Sequence, residues 1–147
     1  MDFPLSMDQC SFIYNVSFLS LGTAIYAIYN GYYEMAIFPA GVFLTSINYW
    51  RNPDYSWRRY LDIGYVIFAL ACQLYKAYWA EYGYEYYMVT FIAISFYILG
   101  VYYSKNSLHW HSTYSHCLLH IFANIANLIL YSGKMNYSED EDQDKEL

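Results

Sequence analysis

HSTYSHCLLHIFANIANLILYSG, residues 111–133, is long and apolar enough to cross a bilayer, yet it carries His116 and His120 one turn apart, followed by Asn124 and Asn127. A bilayer core of about 30 Å takes a helix of about 20 residues. The length therefore sets the fold class, and the polar residues set the problem. His109, His116, His120, Asn124 and Asn127 are separated by seven, four, four and three residues. At about 3.6 residues per turn, these spacings stay close to whole turns. The side chains form one stripe, which is costly against lipid and is expected to face the bundle interior or a water-filled cavity.

Working outward, four more runs have the same character. Apolar stretches at residues 11–30, 33–50, 60–79 and 86–103 join the one at 112–132, giving an expected total of five spans. The separators NGYYE, RNPDYSWRR, EYGYE and SKNSLHWH carry Gly, Pro, Asn and charge. Pro39 and Gly41 lie within the second run, where a membrane helix tolerates a kink. A soluble helical bundle would show Lys and Glu on its outer faces, and these runs have almost none.

Composition points the same way. The chain has 147 residues, of which 58% are hydrophobic, 23% aromatic and only 14% charged, too apolar for an ordinary soluble domain. Mean hydropathy is only +0.12. That scale counts the 21 tyrosines as polar, although their rings settle well at membrane interfaces. The expected fold class is an all-α integral membrane helical bundle over residues 1–133, followed by an acidic, disordered tail over residues 134–147.

Basic residues give the orientation. Arg51, Arg58, Arg59 and Lys105 fall on one side; Lys76, Lys134 and Lys145 fall on the other. The positive-inside rule makes the first side cytosolic, together with the N-terminus. No basic segment precedes the first span in MDFPLSMDQC, so a cleaved signal peptide is not expected. The tail SEDEDQDKEL supplies six of the acids behind the net charge of −6 and is too charged to fold. Its final DKEL is a permutation of a lumenal retrieval signal, compatible with the endoplasmic reticulum or another endomembrane. NYS at 136–138 is a glycosylation sequon on the same side.

Several function classes drop out. Cys10, Cys72 and Cys117 form neither an even set nor a CxxC pair, so neither a disulfide framework nor a thiolate metal site is indicated. There is no phosphate-cradling Gly-rich loop, no GxSxG elbow and no basic patch for nucleic acid. Membrane lipids are the expected partners, and a lipid the expected substrate if there is one.

Other polar groups belong at the membrane level of the stripe. Ser46 lies about one turn before the end of the second span and Asp62 just inside the third. His116 lies roughly 12 Å of helix rise into the last. All three fall in the cytosolic half. Histidines at i and i+4 suit a divalent metal, usually zinc, and a hydrolytic zinc site takes three protein ligands and a water. An Asp nearby can orient a ligand or take a proton from that water, and a Ser can donate to a developing oxyanion.

At these residues the chain resembles the CREST superfamily, which includes alkaline ceramidases and the progestin and adipoQ receptors. TSINYW supplies Ser46, WRRYLDIGYV supplies Asp62, and HCLLH supplies His116 and His120. The resemblance implies a zinc-dependent hydrolase of lipid amides or esters, with His116 and His120 as ligands, Asp62 orienting water or acting as base, and Ser46 stabilising charge. The chain departs from the family pattern in having five spans rather than seven. It also has Trp50 four residues after Ser46, where the family places its third ligand. His109 or His111 is the replacement ligand, at the cost of unwinding the helix start.

The same residues admit other functions. One is a non-catalytic scaffold or assembly subunit whose histidines and asparagines only join helices. The other is a small transporter or proton pathway lined by His109, His116, His120 and Asp62. Asp62 pairing with Arg58 or Arg59 is an equal alternative to a site role.

Overall fold

The computed structural model describes residues 4–135, and the fold over them is all-helical. The expected acidic tail beyond residue 135, with its DKEL sequence and the sequon, lies outside the described residues. Six helices follow in order: α1 (Met7–Val16), α2 (Leu19–Tyr29), α3 (Tyr33–Trp50), α4 (Trp57–Ala77), α5 (Gly83–Lys105) and α6 (His109–Ser132). Among the described residues, the sole β-type pairing is an isolated bridge between Ala80 and Met135.

The first expected span is two helices. α1 starts on a capping box in which the Gln9 amide donates to Ser6 Oγ at 3.2 Å and the Ser6 amide donates to Gln9 Oε1 at 2.8 Å. It ends where the buried Ser17 hydroxyl donates to the Ile13 carbonyl at 2.8 Å. The bonding then tightens to three-residue steps, from Phe18 to Asn15, Ser20 to Ser17 and Leu21 to Phe18. A Ser that bonds back to the preceding turn often bends a helix, and Ser17 does so at the point where α1 gives way to α2.

Two inter-helix turns share one device. After α2, Gly31 takes a positive φ of 81°, and the Tyr32 amide closes on the Ala27 carbonyl at 2.9 Å. After α5, Ser107 takes φ 59°, and the Leu108 amide closes on Tyr103 at 2.9 Å. Both are Schellman ends, for which Gly is the least strained residue at the left-handed position. Between α4 and α5, a Cβ on Gly83 would lie 2.0 Å from the Ala77 carbonyl oxygen, so this connection needs glycine for space.

Pro39 deprives the Met35 carbonyl of its helical donor. The Tyr131 hydroxyl from α6 reaches that carbonyl at 3.4 Å and also bonds the Gln73 amide of α4. Two residues on, the Ile37 carbonyl accepts from the Tyr65 hydroxyl of α4 at 2.7 Å. The Tyr65 ring fills the space that a side chain at Gly41 would take. The stretch around Pro39 and Gly41, where a kink is expected, is thus contacted by two tyrosines from neighbouring helices.

Packing divides the bundle into two ends. At one, Cys10, Ile13, Tyr49, Trp50 and Cys117 form a buried cluster from α1, α3 and α6. At the other, Ala27, Met35, Tyr86, Leu130 and Tyr131 belong to a second cluster joining α2, α3, α5 and α6. α5 packs along the length of α6, whereas α4 and α5 barely touch. The α3–α4 loop lies at the first end, tied by Arg58: its Nη1 donates to the Asn48 carbonyl at 2.9 Å and its Nη2 to the Asn52 carbonyl at 2.6 Å and to Asp54 at 2.9 Å. The Ser56 hydroxyl and then Arg58 hold the Asp54 carboxyl down to about 2.

Two stretches, Met7–Tyr29 and Gly83–Lys105, are long and apolar enough to cross a membrane. The other helices do not meet the same standard of length, hydropathy and charge. Polar residues in α3, α4 and α6, including those of the stripe, account for the difference.

Candidate functional site

The weak seam between α4 and α5 leaves a cavity of about 380 Å³, toward the small end of the range for ligand sites. Its walls are mostly apolar. Ile63, Ile67, Ile94 and Tyr97 line it and are also exposed on the outside of the bundle, so the mouth opens sideways between α4 and α5. α6 forms the opposite wall.

Ser46, Asp62, His116 and His120 all line this cavity. α3 delivers Ser46, 1% exposed, one turn before its end, and α4 delivers Asp62, 8% exposed, from its second turn. Ser46 Oγ donates to Asp62 Oδ1 at 2.9 Å. Thr45 Oγ1 lies 3.0 Å from the same oxygen and 3.2 Å from the Val42 carbonyl. Thr45 was absent from the sequence-derived site, although it adjoins Ser46 in TSINYW. The alternative pairing of Asp62 with Arg58 or Arg59 does not form: Arg58 is committed to Asp54 and the loop carbonyls, and the Arg59 guanidinium sits 5.5 Å from the Tyr55 ring centroid.

His116 and His120 are joined by an Nε2–Nε2 hydrogen bond of 3.2 Å, in which one ring donates and the other accepts. The Trp50 ring packs edge-on against His116, with centroids 5.2 Å apart. Position 50 therefore does lie beside the histidine pair. Neither histidine forms an ion pair with Asp62.

The rest of the stripe divides. Asn124 joins α6 to α2, accepting from Thr23 at 2.8 Å and donating to Ser20 at 3.3 Å and to the His120 carbonyl at 2.8 Å. Asn127 lines the cavity, and His109 does not. His109 is the first residue of α6, about two turns from His116. Its Nδ1 is buried and has no hydrogen-bond partner among the described residues. His111 is exposed, with its ring 5.3 Å from that of Tyr103.

A hydrolytic zinc centre takes three protein ligands. Among the described residues, no group of three or more His, Cys, Asp or Glu side chains is gathered to hold a metal. His116 and His120 supply two donors, and the His109 position contributes nothing near them. The residues present do not complete the ligand set.

Comparison of the chain with protein-family models, curated proteins and solved structures finds no match. Ser46, Asp62, His116 and His120, drawn from α3, α4 and α6, share the walls of one cavity.

Proposed function

We propose that the chain is a multi-pass membrane protein of five spans, α1–α2 together and then α3 to α6, and that its cavity receives a single membrane amphiphile through the mouth between α4 and α5. One observation carries the proposal: an apolar cavity opens sideways in the bundle and has Ser46, Asp62, His116 and His120 inside it. The outward faces support the membrane reading, since Ile25, Ile37, Ile67, Phe91 and Ile98 are all more than half exposed. Apolar surface of that extent calls for lipid or a partner. The first end of the bundle, with Arg51, Arg58, Arg59 and Lys105, is the cytosolic one. The second faces the lumen of an endomembrane such as the endoplasmic reticulum.

The test uses the purified chain in nanodiscs with a photoreactive lipid, and maps the labelled residues. Label is expected on Ile63 and Ile94, and is expected to fall when Ala93→Trp fills the cavity. Label confined to belt residues such as Ile25 and Ile37, and unchanged by Ala93→Trp, would overturn the lipid site. Single cysteines at Glu81 and Asn106 test the spans: they should react with impermeant reagent from opposite sides of sealed vesicles.

A second reading, metal-dependent hydrolysis of a lipid amide or ester, is favoured by Ser46 and Asp62 sharing the cavity with the histidine pair. Two imidazoles do not make a hydrolytic zinc centre, so no catalytic step follows from the residues present. Metal content by mass spectrometry, wild type beside His116→Ala/His120→Ala, decides it. Stoichiometric zinc lost in the double variant supports the hydrolase, and metal-free folded wild type removes it.

A further inference from the structure

We infer that the amphiphile is a single-chain amine, held through its ammonium group by Asp62; this rests on the cavity being a lipid site. Among the described residues, Asp62 is the sole acidic residue lining the cavity, and neither Lys nor Arg lines it. The basic residues of α4, in its first turn and its last, are engaged elsewhere. Arg58 bonds Asp54, Arg59 covers Tyr55, and Lys76 reaches Glu34 at 3.6 Å near the other end of the bundle.

The carboxylate itself is only half served. Both neighbouring hydroxyls, from Thr45 and Ser46, converge on Oδ1, while Oδ2 has no hydrogen-bond or ion-pair partner among the described residues. The histidines bond each other. A buried charge is tolerated when it is paired and hydrogen-bonded. Oδ2 lacks a group that carries both positive charge and N–H donors, and an ammonium has both.

Other lipid classes fit less well. A phosphate headgroup is best met by Arg or Lys, and among the described residues the cavity lining has neither. A fatty acid would set a second carboxylate against Asp62. An alcohol can donate one hydrogen bond but leaves the charge unbalanced. Beyond Asp62, α4 continues with Ile63, Val66, Ile67 and Leu70 along the cavity as far as Gln73, roughly 16 Å of helix rise. That apolar wall suits one extended alkyl chain.

The experiment is competition against the photoreactive lipid in zwitterionic nanodiscs, using dodecylamine, dodecanol, dodecanoate and butylamine, with concentrations counted in the bilayer. Dodecylamine is expected to displace the label at a concentration on the order of tenfold below dodecanol. Dodecanoate and butylamine should be without effect. In Asp62→Asn, dodecylamine should fall to the level of dodecanol, whose own displacement shows that the cavity persists. The wild-type comparison decides by itself if that variant does not fold. Dodecanol matching or exceeding dodecylamine would overturn the amine assignment and leave the lipid site standing. Label found only on the belt, with no competitor acting, would overturn both.

Discussion

Tyr131, in the last turn of α6, sets its hydroxyl 3.4 Å from the carbonyl of Met35, the group that Pro39 strips of its helical donor. A buried carbonyl left without a partner costs about 1–3 kcal/mol, so the tyrosine and the proline are energetically coupled. Tyr131→Phe should destabilise the protein by about that amount, read as thermal unfolding in detergent. In a Pro39→Ala background the amide at position 39 is restored, and the cost of losing the hydroxyl should shrink to what the Gln73 bond contributes. Equal costs in the two backgrounds would show that Met35 does not depend on Tyr131.

Ser107 holds a left-handed conformation, φ 59°, at the end of α5, where the equivalent residue after α2 is Gly31. Relief of that strain predicts that Ser107→Gly stabilises the fold by about 1 kcal/mol. The same unfolding measurement checks it. A destabilised variant would mean that the serine hydroxyl contributes more than its backbone costs.

Asp54 stays ionised far into acid, because the Ser56 hydroxyl and then Arg58 hold its carboxyl down to about 2 from an ordinary 3.8. The folded value is the lower one, so the loop's contribution to stability is present above the unfolded value and is lost as the pH falls through the folded one. Stability should therefore show no Asp54-linked loss from neutrality to about pH 4, followed by a fall toward pH 2 that is absent in Asp54→Asn. Carboxyl chemical shifts across that range test the assignment. A titration midpoint near the ordinary aspartate value would contradict the loop geometry.

Trp50 packs against His116, so Trp50→His brings a third imidazole to the pair. Zinc retained after a chelator wash should rise in this variant above wild type, and the rise should disappear in Trp50→His/His120→Ala. A folded variant holding no more zinc than wild type would show that position 50 cannot complete the ligand set. Loss of the buried indole should lower stability by about 3–5 kcal/mol, and the metal would offset part of this.

Helix positions were legible wherever hydrophobic length and punctuation agreed. Residues 33–50 form α3 as expected, and the last three runs differ from α4, α5 and α6 by a few residues at their ends. The break between α1 and α2, at Ser17 and Phe18, carries neither Gly nor Pro, so the punctuation that marks the other helix ends is missing there. Spacing brought Ser46, Asp62, His116 and His120 to one level, and they do share a cavity. It could not show that Arg58 turns to Asp54, or that Tyr131 would meet Gln73 and Met35, since those choices depend on how distant segments pack. His109 was grouped with the stripe by period alone and lies at the helix start, away from the cavity.

The near-absence of contact between α4 and α5 bears on the order of assembly under the multi-pass proposal. As the chain is synthesised, α3 emerges beside α2, α4 beside α3, and α6 beside α5, each with a finished neighbour to shelter its polar side chains. α1–α2 emerges first and α5 emerges before α6, so these two must settle in lipid with no partner ready. They are the same two stretches that are apolar enough to cross a membrane by composition alone. Hydrophobicity along the chain thus follows the schedule of partner arrival, and the helices that carry Ser46, Asp62 and the histidine pair are those delivered to a waiting companion.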